Sequence, residues 1–180
     1  MADNWWRYCV FIIGCTCLYF FAWKFVDWKR WKEYYPTVQF YIIANFLYNF
    51  LFYNHTLWAY RAVTLDWLNH TFIEITFTLL IIPVVVMIYL RYFPEKNLKK
   101  KIFYTGVWIV YFSVLEYLFS KKGLFVYDNG WNFWWSVLFN LIMFIMLRMH
   151  YKKPGIAMAV SLPIIAILLW LFHPHLIDLK

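Results

Sequence analysis

The sequence predicts an all-α, polytopic integral membrane protein: six transmembrane helices, both termini extracytoplasmic, one domain over residues 1–180. Three observations carry that expectation. The chain has more apolar surface than a soluble core could hide. It is divided into uncharged runs of bilayer length. Its Lys and Arg residues fall unevenly between alternate connections.

Of the 180 residues, 64% are hydrophobic, 26% aromatic and only 14% charged. Soluble domains are roughly half apolar and about a quarter charged, and a chain this short buries only part of its surface in one core. The remaining apolar surface needs a bilayer as its solvent. The net charge of +8 is no sign of a nucleic-acid partner, because the cations sit in short clusters between long uncharged runs, as in the loops of membrane proteins.

A helix needs roughly 20 residues to cross the hydrocarbon core. Six segments meet or approach that length, at about Trp6–Trp23, Thr37–Trp58, Asn69–Leu90, Ile102–Ser120, Trp131–Leu147 and Ile156–Phe172. Pro36, Pro94 and Pro154 are placed in connections, each near a basic cluster, whereas Pro83 falls inside the third span and predicts a kink there. The N-terminus has a weak charged region and no small-residue cleavage site, so the first segment reads as a retained helix and not as a signal peptide. Cys9, Cys15 and Cys17 all lie in that segment. Two-residue spacing puts Cys15 and Cys17 on different helix faces, where they serve as small apolar residues.

Orientation follows from the basic residues. Lys24, Lys29, Arg30 and Lys32, then Arg91, Lys96, Lys99, Lys100 and Lys101, then Arg148, Lys152 and Lys153 fall on one side, twelve in all. Arg7, Arg61, Lys121, Lys122 and Lys180 make five on the other. The richer side should be cytoplasmic. Trp28, Trp31, Tyr34 and Tyr35 are interleaved with the first cluster, a mixture suited to the headgroup layer.

Polar residues enter four of the spans at helical spacing, which places them on one face. They are Tyr41, Asn45 and Asn49 in the second, His70, Glu74 and Thr78 in the third, Ser113, Glu116, Tyr117 and Ser120 in the fourth, and Asn132, Ser136 and Asn140 in the fifth. Polar faces turn from lipid toward one another, so spans two to five should enclose a polar interior with spans one and six as apolar cladding. Hydrogen bonds across membrane helices can be no more than glue, at roughly 0.6 kcal/mol each. Carboxylates cost roughly 2.5–3.5 kcal/mol at mid-membrane even on lenient scales, so Glu74 and Glu116 point more strongly to a use. Glu116 lies 14 residues beyond Ile102, about 21 Å along the helix, in the outer third of the bilayer.

An outward-facing pocket is therefore expected, with Glu74, Glu116, His70, Asn49, Asn132, Asn69, His55 and Asn140 as candidate ligand-binding residues. Asn49 and Asn132 are the expected hydrogen-bond partners of the two carboxyls, and a short connection should make spans three and four neighbours. His173 and His175 fall on the same outer side, but HExxH and paired CxxC motifs are absent, so no metal site is indicated. GxGxxG, GxxxxGK[ST] and GxSxG motifs are missing too, which excludes the usual cofactor-binding and nucleophile loops and implies no cofactor. The triplets Asn54-His55-Thr56 and Asn69-His70-Thr71 match glycosylation acceptors.

Four stretches carry a resemblance: YPTVQFYIIANFLYNF at Tyr35–Phe50, NHTFIE at Asn69–Glu74, YDNGWNFWWS at Tyr127–Ser136 and LRMHYKKP at Leu147–Pro154. Together they resemble an uncharacterised family of small, aromatic-rich, multi-span proteins of spore-forming Gram-positive bacteria. The resemblance implies a bacterial plasma membrane, where the Asn-x-Thr triplets would not be glycosylated. It brings no catalytic residues with it.

The expected function is a non-enzymatic membrane protein whose polar pocket binds a small polar ligand, an ion or a membrane protein partner, with membrane lipids around it. One alternative is a membrane-embedded enzyme acting on a lipid or envelope precursor, with Glu74, His70 and Glu116 as acid/base groups. Others are a small transporter or channel subunit, and an assembly factor whose polar interior only holds the bundle together.

Overall fold

Helices account for most of the chain because its long apolar runs can satisfy their backbone groups internally only as helices. A computed structural model describes residues 19–61 and 70–172. Residues 19–25 are helical, and a 3-10 turn at Trp28–Arg30 leads into α1, Trp31–Leu51. There follow β1 (Trp58–Tyr60), α2 (His70–Arg91), α3 (Leu98–Lys121), β2 (Phe125–Tyr127), α4 (Phe133–Lys152) and α5 (Pro154–Phe172). Among the described residues, α2, α3, α4 and α5 are long and apolar enough to cross a membrane, which marks a membrane protein. α1 matches them in length at 21 residues, but Tyr and Asn side chains make it less apolar. The first expected span lies mostly outside the described residues, as do the three cysteines, Asn69, His173 and His175.

Two expectations need correction. The fold is not purely α: β1 and β2 pair antiparallel, Trp58 opposite Tyr127 and Tyr60 opposite Phe125. The Arg61 N–H donates to the Leu124 carbonyl at 2.9 Å, and the Asp128 N–H to the Leu57 carbonyl at 2.8 Å, extending the ladder at both ends. Aromatic and β-branched residues favour strands, yet the same residues lengthen an apolar run, so apolarity alone carries the second span on to Trp58. α1 ends instead at Leu51. It also begins earlier than expected and holds Pro36 inside it, so the basic, aromatic first connection is itself partly helical. Pro163, too, lies inside a helix, α5.

Pro83 acts as its chemistry requires. It has no N–H for the Leu79 carbonyl and its ring crowds that group. The helix is wound as a π-helix over Phe77–Ile81, just before it, the usual form of such an interruption.

α4 is the hub, packing against α1, α2, α3 and α5. α3 takes its main backbone contact from α4 and meets α2, its expected neighbour, through side chains. The reason is ring size. Tyr89 and Phe144 are fully buried, and with Tyr104 and Trp108 they fill the space between α2, α3 and α4. The Tyr89 hydroxyl donates to the Phe144 carbonyl at 3.1 Å, and the Tyr104 hydroxyl to the Tyr89 carbonyl at 3.2 Å.

Each end of the bundle has its own chemistry. At the basic end Arg91 donates to the Phe25 carbonyl at 2.7 Å, and Arg148 donates to both oxygens of Glu95 at 2.6 and 2.7 Å. Arg148 holds the Glu95 carboxyl below the usual carboxylate range. At the sheet end an aromatic cluster forms around Phe52, Leu57, Trp131 and Phe172, with Trp58 stacked on Tyr48 at 4.2 Å.

A candidate ligand cavity beneath the sheet

Beneath the two-stranded sheet, between α1, α2, α3 and α4, lies a cavity of about 120 Å³. Glu74 from α2, Glu116 from α3 and Asn140 from α4 all line it. Each reaches it because the rest of its helix is apolar and the polar side chain turns away from the lipid-facing side.

Glu74 is buried. The Asn45 amide of α1 donates to Thr78 Oγ1 at 2.7 Å and, more loosely, to Glu74 Oε2 at 3.4 Å, so α1 and α2 are joined by a polar contact at the cavity wall. Glu116 is half-buried. The Tyr127 hydroxyl of β2 donates to Glu116 Oε1 at 2.7 Å. Burial and then the neighbouring Glu116 push the Tyr127 phenol well above its ordinary range, so it remains a donor at any physiological pH. Ser136 also reaches Glu116, and its Oγ accepts from the Trp131 indole at 2.8 Å.

Among the described residues no Lys, Arg or His forms an ion pair with either carboxylate. The Asn140 Nδ2 is buried and has no hydrogen-bond partner there. An unpaired buried amide costs roughly 1–3 kcal/mol, so it is a group suited to a ligand. Aromatic rings form most of the remaining wall, notably Tyr41, Trp58, Tyr60, Phe125 and Trp131. Burial, then Glu74, raise the Tyr60 phenol well above its usual range, and it stays neutral. Among the described residues, no group of three or more His, Cys, Asp or Glu comes together as a metal site would need.

Other expected site residues are placed elsewhere. Asn49 donates to the Asn45 carbonyl of its own helix at 2.9 Å, which spends the amide locally. Asn132 caps α4, its side chain accepting from the Trp134 and Trp135 N–H groups at 2.9 and 3.3 Å. Neither bonds a carboxylate. His70 Nδ1 accepts the Tyr60 N–H at 3.1 Å. A nitrogen used that way carries no proton, so the ring ties β1 to α2 and is not a cation for Glu74. His55 is half-buried in the turn after α1 and does not line the cavity. The polar face read on the fourth span also divides: Ser113 is buried, while Tyr117 is exposed beside Phe133.

Asn45, Ser136, Tyr60 and Tyr127 complete the site without having been chosen from the sequence. Asn45 and Ser136 were visible there as members of polar stripes. The two tyrosines reach the site only through the sheet pairing. No protein-family model matches the chain, nor does a curated protein or a solved structure.

Proposed function

We propose that the chain is a multi-pass protein of a bacterial plasma membrane, and that the cavity under its sheet binds a small organic cation of the ammonium type. The observation that carries this reading is the wall itself: two carboxylates with no cationic partner among the described residues, set among aromatic faces. Carboxylates attract an ammonium group, and ring faces hold it by roughly 0.5–2 kcal/mol each, as in aromatic cages. The unpaired Asn140 Nδ2 is itself a donor, so it makes no hydrogen bond to an ammonium group. An anion would meet acidic groups and no cation to pair with among the described residues.

On this proposal the chain has six spans, with α1 and the segment before it counted among them, both termini outside and the basic end cytoplasmic. The pairing of β1 with β2 supports part of this, since it puts the connections after α1 and α3 at one end. In a background with Cys9, Cys15 and Cys17 replaced by Ser, a cysteine at Lys121 should react with an impermeant thiol reagent in intact cells. Cysteines at Lys99 and Lys152 should not, and labelling there before lysis refutes the orientation.

Binding is tested with radiolabelled ethylammonium on the full chain in lipid nanodiscs. Glu116→Gln and Glu74→Gln should each weaken binding by about tenfold or more, the worth of a charge-assisted contact, while the far-ultraviolet spectrum stays helical. Saturable binding that neither variant changes would remove the cavity as the site.

A structural reading is favoured by one observation, the Tyr127–Glu116 bond that ties β2 to α3. On that reading Glu116→Gln would be nearly silent, and no ammonium would bind.

A further inference from the structure

A second, larger concavity of about 300 Å³ runs between α1, α4 and α5. That is at the lower bound of ordinary ligand sites, roughly 300–1,000 Å³. Its wall is almost wholly apolar, with Leu47, Met146, Met158 and Leu162 among the lining side chains. Tyr41, Asn45, Phe139 and Met143 line both this groove and the carboxylate cavity. The two spaces are thus separated by shared side chains and not by a helix.

From this continuity we infer that the ligand is an amphiphile. Its aliphatic chain lies in the groove and its ammonium head sits at Glu74 and Glu116. The inference rests on the cation reading above and adds the tail and the route. Met158 and Leu162 are exposed, so the groove faces what would be lipid. A hydrocarbon chain moving in from the bilayer stays in apolar surroundings throughout. Lipid tails are as apolar as the groove, so the chain gains little by entering. Selection falls to the head, and the carboxylates accept a cation and repel a phosphate. Methionine is flexible enough to fit chains of varied shape, and Met143 stands where tail gives way to head.

The test uses the full chain in phosphatidylcholine vesicles with hexadecylamine carrying a mid-chain diazirine. After photolysis, adducts should concentrate on Met146, Met158 and Leu162. Excess ethylammonium should reduce those adducts about tenfold, as should the Glu74→Gln/Glu116→Gln pair, since each removes the charge-assisted anchoring of the head. Met158→Trp narrows the groove outside the cavity. It should cut groove adducts and leave ethylammonium binding intact, which separates loss of the groove from loss of the fold. A chain-matched alkyl phosphate should mark Val110 and Val114 on the exposed side of α3 as often as the groove. Amine adducts spread evenly over those valines, or unmoved by ethylammonium, overturn the inference, and so does a phosphate that fills the groove equally well. Ethylammonium bound by a protein whose amine adducts stay spread removes only the amphiphile. Its failure to bind removes the cavity reading and the inference together.

Discussion

α2 and α3 each bring one glutamate to the same cavity, yet the two helices are buried to very different extents. Half of the most apolar stretch of α2 is buried, against 6% of that of α3. α2 is wedged against α1 and α4, and its carboxylate is met by the Asn45 amide from a neighbouring helix. α3 lies along α4 with Ile102, Phe103, Val110 and Val114 facing outward, and its carboxylate is met by Tyr127 from the sheet. Side-chain chemistry is the same in both cases. What differs is the closest contact: Tyr127 of the strand bonds Glu116 at 2.7 Å, whereas the Asn45 amide stands 3.4 Å from Glu74, and each carboxylate has a further partner, Ser136 of α4 for Glu116 and Trp58 of β1 for Glu74.

The contrast predicts unequal costs along the two helices. Tyr89→Ala on α2 removes a fully buried ring and the bond to the Phe144 carbonyl, and should cost about 3–5 kcal/mol. Val110→Ala on α3 should cost under about 0.5 kcal/mol, because lipid fills the space. Reversible unfolding in mixed micelles measures both, and equal losses would abolish the distinction.

Tyr127→Phe should come next, at about 1–3 kcal/mol for a carboxylate deprived of its donor. The loss should be local: hydrogen exchange should quicken in β1 and β2 while α2 is unchanged. Uniform acceleration across the bundle would mean that the sheet is not what holds Glu116.

Two smaller effects sharpen the comparison of the ends. Leu168→Ala and Leu169→Ala should be mild, under about 1 kcal/mol, since these residues only partly cover the aromatic cluster and lipid can replace what is lost. At the basic end the Glu95–Arg148 pair depends on an ionised carboxylate. Its folded pKa lies below its unfolded value near 4.3, so the stabilisation is present above that value and is lost as pH falls through the folded pKa. Glu95 is exposed, so the loss should be below about 1 kcal/mol. Acid titration of wild type against Glu95→Gln measures it, and identical curves would show the pair contributes nothing.

Long apolar runs made α2, α3, α4 and α5 legible, because length and hydropathy alone decide a helix in a bilayer. The carboxylates were legible for a related reason: a charge in such a run is too costly to face lipid. Trp58 and Tyr60 were not, since an aromatic strand abutting an apolar helix looks like more helix until its partner strand is known. Asn132 shows a signal misassigned. An Asn just ahead of Phe133-Trp134-Trp135 is a helix cap by position, and periodicity alone counted it into the polar stripe. Asn49 offered no such signal, because whether an amide reaches across to a neighbour or back to its own helix depends on what faces it.

The central claim is that Glu74 and Glu116 together receive a cation, and the carboxyl groups themselves can be watched. Infrared difference spectra of the protein in nanodiscs, taken with and without ethylammonium, should show a change in carboxyl bands. That change should halve in Glu74→Gln and in Glu116→Gln and vanish in the double variant. A ligand-induced carboxyl signal that survives the double substitution, or none in the wild type at saturating ethylammonium, would contradict the account.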